Sequence, residues 1–207
     1  MARDLQSIVK RSRREGYALH PKAHKALVKR SGPPGQAGAE GGRRRPKASQ
    51  YSVQLREKQK VKRLYGLLER QFAKMMSEAS RTKGQSGVTL LQFLERRLDN
   101  AIYRSGFAVS RRAARQLVTH GHFMLNGRRI DIPSIRVVVG DEIVLRDHSK
   151  NTEYFKQIEV VSPAPAAIPE WLKVDRKKFK VNVTGLPTRD DAEPDIKEQL
   201  IVEYYSR

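Results

Sequence analysis

Residues 110–129 place a short basic helix directly before a tight basic hairpin, and this combination constrains the fold more than any other part of the chain. Ser110 is a suitable N-cap, and an apolar arc follows it at helical spacing as far as Gly121, a residue favoured at helix C-termini. The dipeptide Asn126-Gly127 then predicts a type I′ turn, which needs positive φ at both central residues. We expect the helix and the hairpin to bring five guanidinium groups to one surface, those of Arg111, Arg112, Arg115, Arg128 and Arg129.

The chain is strongly basic, with a formal net charge of +20 across 207 residues. Concentrated positive charge predicts a polyanionic partner, because cationic side chains that neutralise phosphates release condensed counterions. A surface of several arginines suits an array of phosphates better than it suits a small-molecule substrate. We therefore interpret residues 110–129 as an RNA-binding surface, which also includes polar side chains of the same segment, namely Gln116, His120, His122 and Asn126.

Composition also excludes several classes of protein. No apolar run approaches the roughly 20 residues that span a bilayer, and no apolar signal segment opens the sequence, so we expect a cytoplasmic protein with no membrane partner. The absence of cysteine excludes disulfides, thiolate metal sites and a thiol nucleophile. The histidine pairs His20/His24 and His120/His122 lack a third ligand, so we predict no bound metal and no cofactor. No catalytic triad or phosphate-binding loop is recognisable, which predicts that the chain is not an enzyme.

Composition and periodicity divide the chain into three predicted regions. Residues 1–50 carry thirteen Lys/Arg against three acids, and we predict a basic arm that becomes ordered on its partner. A solvated linker is the alternative for residues 31–42. Residues 51–93 and 160–207 predict a helical body, and residues 94–159 predict a separate module. The predicted fold class is therefore α+β, mostly helical with a small antiparallel sheet.

Hydrophobic periodicity predicts the helices and strands of these regions. Apolar residues at steps of three and four predict one long amphipathic helix from Tyr51 to Ala79, with Gly66 as a tolerated weak point. A second helix begins near Thr89 and a third at Ser110, which together give a helix–turn–helix in outline. Short strands are predicted over residues 123–125, 128–132, 137–139, 142–146 and 155–161.

Further cations lie outside the central segment, and we assign most of them to phosphate contact. In the arm they stand on both sides of the Gly/Pro-rich stretch, at Arg13, Arg14, Arg43, Arg44, Arg45 and Lys47. In the helical body they crowd the long helix and the loop after it, at Lys58, Lys62, Arg63, Arg81 and Lys83. Ordinary solvated surface is the alternative for the cations of the long helix. A last basic cluster, Arg176-Lys177-Lys178 with Lys180, stays unassigned.

Several motifs resemble a known RNA-binding module. The S4 module is similar to residues 94–99, 103–108 and 110–125, and also to Asn126-Gly127, Ile132-Pro133-Ser134 and Val139-Gly140-Asp141. This module alone is widespread and occurs on pseudouridine synthases and on some tRNA synthetases. The flanking motifs resemble the family of bacterial small-subunit ribosomal protein S4, at residues 11–16, 54–60, 65–72, 169–172 and 201–207. The resemblance covers most of the chain, and only residues 17–50 diverge noticeably.

The resemblance implies a structural protein of the small ribosomal subunit, in which residues 94–159 are inserted into the helical body. Members of the family bind the 5′ domain of 16S ribosomal RNA early in subunit assembly. They contact ribosomal protein S5 and other small-subunit proteins and help to form the region where messenger RNA enters, which connects them with translational accuracy. Some members bind zinc through N-terminal cysteines, which this sequence lacks, so we expect no zinc. The implied location is the cytoplasmic ribosome.

Two alternatives from other classes stay open at this point. An RNA-modifying enzyme of the pseudouridine-synthase type carries the same module, but it needs a catalytic domain with a nucleophile such as a strand-borne aspartate. The residues outside 94–159 predict helices and basic segments instead. A nucleoid or general regulatory protein would share the positive charge, but a purely electrostatic binder discriminates weakly between structured RNA and duplex DNA.

Overall fold

The chain forms two compact units in the computed structural model, which describes residues 6–35, 48–165 and 167–206. Unit 1 comprises residues 1–89 and 195–207, and unit 2 comprises residues 90–194. In the described part of the chain, no helix combines the length and the apolar character that crossing a membrane requires.

The elements follow one another along the chain in a simple order. The helices of unit 1 are α1 (Ile8–Glu15), α2 (Pro21–Lys29), α3 (Gln50–Leu64) and α4 (Glu69–Arg81). Next come α5 (Ser86–Glu95), α6 (Leu98–Arg104), α7 (Arg111–Thr119), β1 (Phe123–Leu125), β2 (Arg128–Ile130) and β3 (Glu142–Leu145). The last elements are α8 (Asp147–Lys150), α9 (Glu153–Lys156), α10 (Ile158–Val161), β4 (Leu172–Asp175), β5 (Lys180–Val183) and α11 (Glu198–Tyr205).

Unit 2 contains a five-stranded antiparallel sheet with the strand order β2-β1-β3-β5-β4. The predicted α+β class with a small antiparallel sheet is confirmed. One row of paired residues crosses all five strands, in the order Arg129, Met124, Val144, Lys180 and Asp175. Neighbours in such a row point to the same side of a sheet, and we call this side the outer face.

The other side of the sheet carries the core of unit 2. Its strands contribute alternate apolar residues, because successive side chains of a strand point to opposite faces. Helices α6 and α7 supply the facing side chains, and the cluster includes Leu98, Ile102, Leu117, Val118, Phe123, Ile143, Leu145, Val181 and Val183. A fully buried Leu or Phe side chain stabilises a fold by roughly 1.5–3 kcal/mol, so this cluster holds the helices against the sheet.

In unit 1, helices α3 and α11 pack side by side although they are far apart in the sequence. Gln54 Nε2 donates to Glu203 Oε2 at 2.7 Å, and the ring centroids of Tyr51 and Tyr204 lie 5.7 Å apart. Helix α4 also packs against α11, where the ring centroids of Phe72 and Tyr205 lie 6.2 Å apart. The buried side chains of these three helices include Val61, Leu64, Phe72, Met75, Met76, Ala79 and Ile201.

The single long helix predicted from Tyr51 to Ala79 is two helices in the structure, α3 and α4. The break lies at Gly66, whose φ of +67° is in the left-handed region. Glycine occupies this region without steric strain, so it ends a helix readily. The apolar steps of three and four continue on both sides of the break, and for this reason periodicity alone predicted one element.

The arm predicted over residues 1–50 also contains helical structure. Helices α1 and α2 pack against each other in unit 1, where Leu19 and Ala23 are buried and Ser12 Oγ accepts a hydrogen bond from the backbone N–H of Leu19 at 3.3 Å. The sequence there is so rich in Lys and Arg that the few apolar positions gave no clear periodic signal. Residues 36–47, which complete the predicted arm, lie outside the described residues.

The sheet also differs from the strands that we predicted. Residues 155–161 form parts of the short helices α9 and α10, and residues 137–139 form no strand. Strands β4 and β5 lie in the region predicted as helical body, but they pair with β3 and bury Leu172, Val181 and Val183 in the core of unit 2. Unit 2 therefore extends to residue 194, whereas we predicted that the module ends at 159.

Glu69 connects three helices of unit 1. Its carboxylate accepts hydrogen bonds from Lys58 Nζ at 2.7 Å, Lys62 Nζ at 2.6 Å and the Tyr205 hydroxyl at 3.0 Å. Partial burial alone would raise the pKa of Glu69, but the hydrogen bonds outweigh it and lower the pKa to about 2. A carboxylate whose folded pKa is depressed stabilises the fold above its ordinary pKa, and this contribution disappears as the pH falls towards 2.

We expect Glu69→Gln to lower the free energy of unfolding by about 1 kcal/mol at pH 7, since nearly half of this side chain is exposed and water screens the ion pairs. The difference from the unchanged protein should shrink between pH 4.5 and pH 2, because Glu69 of the unfolded chain takes up a proton in this range before Glu69 of the folded protein does. Urea unfolding across this pH range measures it, with Glu159→Gln in unit 2 as the control. A difference that stays constant with pH would contradict the role assigned to Glu69.

Candidate nucleic-acid interface

Helix α7 presents one polar face to solvent because its other face is held in the core of unit 2. Ser110 caps it as predicted, and Ser110 Oγ accepts a hydrogen bond from the backbone N–H of Ala113 at 3.2 Å. Ala114, Leu117 and Val118 are buried. The exposed side is formed by residues three and four positions apart, which share a helix face. These are Arg112, Gln116 and Thr119, with Arg115 half-buried beside them.

The predicted hairpin follows with the expected turn. Asn126 and Gly127 have φ values of +51° and +76°, as a type I′ turn requires. The Asn126 side chain is used inside the chain: its Nδ2 donates to Asp141 Oδ1 at 2.7 Å, and its Oδ1 accepts from the backbone N–H of Glu142 at 2.9 Å. Asn126 therefore connects the hairpin to the start of β3. Because its amide is already hydrogen-bonded within the chain, few donors and acceptors of this side chain remain for RNA.

Two arginines, one in β2 and one directly after β3, lie at the C-terminal end of α7. A Cβ atom at Gly121 would lie 2.7 Å from Arg129 Nε, so the guanidinium of Arg129 covers the space that this glycine leaves open. A guanidinium nitrogen of Arg146 donates to the carbonyl oxygen of Gly121 at 3.1 Å. Cations are favourable at this end of a helix because its carbonyl groups carry partial negative charge. We call Arg129, Arg146 and the two histidines beside them, His120 and His122, the basic corner.

The histidines of the basic corner do not form a metal site. Their ring centroids lie 6.0 Å apart, and His122 Nδ1 is 3.0 Å from Ser149 Oγ. Burial, followed by the charges of His120 and Arg146, lowers the pKa of His122, so its ring is neutral at neutral pH. Among the described residues, no group of three side chains suited to binding a metal ion occurs.

Arg111 makes contacts that stabilise the fold, whereas its neighbour Arg112 is exposed to solvent. Its Nε donates to Asn100 Oδ1 at 2.8 Å, another guanidinium nitrogen donates to Glu193 Oε1 at 3.0 Å, and the group lies 4.6 Å from the ring centroid of Tyr103. These contacts tie the first turn of α7 to α6. They also neutralise Arg111 within the chain.

The structure thus brings together some of the five predicted arginines and separates others. Arg112 lies on the exposed face of α7, and Arg129 lies at the C-terminal end of this helix. Both side chains are exposed, and neither forms an ion pair in the described part of the chain. Arg128 is exposed too, but it neighbours Arg129 in a strand, so the two side chains leave β2 on opposite faces. The surface available for phosphates is therefore formed by the exposed face of α7 and the basic corner.

Comparison with known proteins shows which protein family this chain resembles. The family model described as the ribosomal protein S4/S9 N-terminal domain matches residues 3–95, and the S4 domain matches residues 96–143. The chain is 50% identical over its whole length to small ribosomal subunit protein uS4 of Chloroflexus aurantiacus, and likewise 50% identical to that of Herpetosiphon aurantiacus. It is 48% identical to the uS4 protein of Roseiflexus castenholzii, again over the full length of both chains.

The chain belongs to the uS4 family of the small ribosomal subunit. This confirms the predicted family, the S4 RNA-binding module and the location on the ribosome. It also confirms a structural protein instead of an enzyme, since relatives matched over the whole length of this chain are named as small ribosomal subunit proteins. These relatives do not support the alternative of a pseudouridine-synthase-like enzyme.

The cations predicted for unit 1 of this uS4-family chain fall into two groups. All three on α3 are neutralised internally: Lys58 and Lys62 bind Glu69, and Arg63 forms an ion pair with the buried carboxylate of Glu15. Because Lys58 is only 3% exposed, we now assign it to the fold instead of to phosphate contact. The other group is on the surface, where Arg14, Arg81 and Lys83 are exposed and Arg13 Nε donates to the carbonyl oxygen of Gly32 at 3.0 Å. The predicted residues Arg43, Arg44, Arg45 and Lys47 lie outside the described residues.

Two sets of cations were missed by the sequence prediction. Arg146 reaches the basic corner from the end of β3, and only strand pairing, which the sequence does not display, reveals that it neighbours Gly121. Lys22, Lys25 and Lys29 are exposed on α2 at spacings of three and four, which places them on one helix face. Their spacing was a usable signal, but it lay in the region that we predicted as a basic arm that becomes ordered on its partner.

We expect Arg111→Ala to lower the free energy of unfolding by about 2 kcal/mol, because hydrogen bonds to charged groups are lost and a buried amide oxygen is left without its donor. Arg112→Ala, one position away, should change it by less than about 0.5 kcal/mol. Chemical denaturation of the two variants measures the difference. Equal stability of both would show that the contacts of Arg111 do not hold α7 in place.

Proposed function

We propose that this chain is a ribosomal-RNA-binding component of the small subunit that recognises the RNA backbone through the exposed face of α7 and the basic corner. The observation that carries the proposal is the separation of roles among the arginines of unit 2. Arg111 is neutralised inside the fold, whereas Arg112 and Arg129 are exposed without an acidic partner among the described residues. Cations that remain unpaired on a rigid scaffold favour a polyanion.

The chemistry of these side chains favours phosphates over base edges. Arginine binds phosphate oxygens in a bidentate manner, which a lysine ammonium group cannot do. The major groove of an A-form helix is too narrow for side chains to read, so folded RNA is recognised by shape, phosphates and 2′-hydroxyl groups. Gln116 and Thr119, between the arginines, are suited to hydrogen bonds with phosphate or sugar oxygens.

The specific RNA in this proposal is the 5′ domain of 16S ribosomal RNA, bound early enough to nucleate assembly of the subunit. The proposal includes contacts with ribosomal protein S5 and with other small-subunit proteins. It also places the chain near the region where messenger RNA enters, with an effect on translational accuracy. These points are supported by the motifs shared with the family and by the full-length similarity to uS4 proteins.

The test compares RNA binding of the full-length protein with that of Arg112→Ala/Arg129→Ala across a series of salt concentrations. We expect the affinity for a 5′-domain transcript to fall about tenfold at 0.15 M salt, and the slope of log K against log salt to become shallower by up to about 1.8, at 0.9 for each lost phosphate contact. The control is Lys150→Ala/Lys156→Ala, which removes the same charge from α8 and α9.

An unchanged salt slope in the arginine variant would show that this surface does not contact the phosphates. Binding of duplex DNA at matched salt provides the second discrimination. Affinity for the 5′-domain transcript should exceed affinity for duplex DNA by far, because the protein recognises a folded shape. Equal affinities would favour a general electrostatic binder over a specific ribosomal one.

A further inference from the structure

The outer face of the sheet carries positive charge on β2 and on the β4–β5 pair. Its complete row starts at Arg129 in the basic corner, reaches Lys180 three strands away, roughly 14 Å at the usual spacing of strands, and ends at Asp175 on β4. The half-buried side chains of Met124 and Val144 lie between them. A second row on the same face adds Lys173 at the edge strand β4, opposite Asn182.

The turn between β4 and β5 is held in place by contacts inside unit 2. Asp175 Oδ1 accepts a hydrogen bond from the backbone N–H of Lys178 at 3.0 Å, which closes the turn. The Arg176 guanidinium points back into the unit, where it donates to the carbonyl oxygens of Gly106 at 2.9 Å and Ser162 at 2.7 Å. The acid and the arginine of this segment are therefore used to fix its backbone.

Phe179 fixes the other end of the same turn. Its φ of +53° lies in the left-handed region, which is costly for a bulky side chain and persists only where the surroundings impose it. The ring centroid of Phe179 lies 6.0 Å from those of Phe107 and Phe155, so the side chain is anchored in the core. This conformation leaves the two residues before Phe179, which are lysines, on the outside.

The lysines around the turn form what we call the hairpin cation cluster: Lys173, Lys177, Lys178 and Lys180. Lys180 forms an ion pair with Glu142, which lies on the same face of the sheet. The other three are exposed and have no ion pair among the described residues. They border an open depression of about 570 Å³ that is lined by Lys173, Asp175, Lys178, Lys180 and Asn182, among others.

We propose that the hairpin cation cluster is a second phosphate-binding surface, which contacts the ribosomal RNA backbone on the sheet face that Arg129 also borders. The inference rests on the proposed function and extends it to a separate site. Two properties support the first surface, a rigid backbone and cations without acidic partners. The hairpin cation cluster has both, because contacts within unit 2 fix its backbone and three of its four cations lack acidic partners among the described residues.

The composition of the face indicates which part of RNA is contacted. Lysine ammonium groups bind phosphates as point charges without selecting a base. The centre of the complete row is aliphatic, and in the described strands no aromatic ring lies on the outer face to stack with an unpaired base. Contact with the backbone of a folded RNA segment is therefore favoured over capture of single-stranded bases.

The row positions of Arg129 and Lys180 lie roughly 14 Å apart, which exceeds the Debye length of about 8 Å at 0.15 M salt, so we expect the two surfaces to contribute independently to binding. We expect Lys177→Ala/Lys178→Ala in the full-length protein to bind the 5′-domain transcript about tenfold more weakly at 0.15 M salt, with a salt slope shallower by up to about 1.8. Combination with Arg112→Ala/Arg129→Ala should add the two reductions in slope. Both lysines are exposed and unpaired, so the melting temperature should stay unchanged.

The control Lys150→Ala/Lys156→Ala removes the same charge from α8 and α9 instead of from the β4–β5 turn. Weaker binding by the turn variant, with the control unchanged, supports the second surface. Normal affinity and slope in the turn variant, while the arginine variant binds weakly, would overturn this inference and leave the proposed function intact. An equal loss in the control would also overturn it, because net charge alone would then account for the effect. If neither the turn variant nor the arginine variant changes the slope, both proposals fail.

Discussion

The buried carboxylate of Glu95 is the contact on which the arrangement of unit 2 depends. Its side chain is inaccessible to solvent and accepts two hydrogen bonds from Arg104, each at 3.0 Å, and one from Asn100 Nδ2 at 2.7 Å. A buried charge is tolerated only when it is paired and fully hydrogen-bonded, so these partners have little freedom to move. Asn100 in turn accepts from Arg111, which continues the network from α5 through α6 to the first turn of α7. Two hydrogen-bonded side chains, Asn100 and Arg111, therefore connect the buried carboxylate to the first turn of α7, which carries Arg112.

This network separates two uses of positive charge within one small unit. Arg104, Arg111 and Arg176 are bound to carboxylates or to backbone carbonyl groups and serve as connections within the fold. The exposed cations are carried by helices and strands whose positions these connections fix. A rigid backbone beneath the cationic side chains lowers the conformational entropy lost on binding, because these side chains already start from fixed positions. A net charge of +20 attracts any nucleic acid, and the positions of the unpaired cations determine which surface of the unit the nucleic acid contacts.

Local signals in the sequence were sufficient to predict the secondary structure of the central part of the candidate interface. The cap at Ser110, the left-handed pair Asn126-Gly127 and the apolar arc of α7 depend on neighbouring residues only, and each is present as predicted. Properties that depend on distant contacts could not be read in this way. The ion pair between Lys58 and Glu69, the approach of Arg146 to Gly121 and the pairing of β5 with β3 all require the folded chain. The same limit explains why Arg111 was predicted as a phosphate ligand: its partner Glu193 is 82 residues away.

The central claim is that the exposed face of α7 and the basic corner contact one continuous segment of RNA backbone, and directed cleavage tests it most directly. The chain has no cysteine, so Gln116→Cys on α7 and Met124→Cys, which pairs with Arg129 on the outer face of the sheet, each introduce a single thiol, to which chelated iron can be attached as a source of hydroxyl radicals. Lys156→Cys on α9 serves as the control. Bound to the 5′-domain transcript, the probes at 116 and 124 are predicted to cleave overlapping nucleotides that the probe at 156 does not cleave. Cleavage of unrelated nucleotides by the first two probes, or the same pattern from all three, would contradict the account.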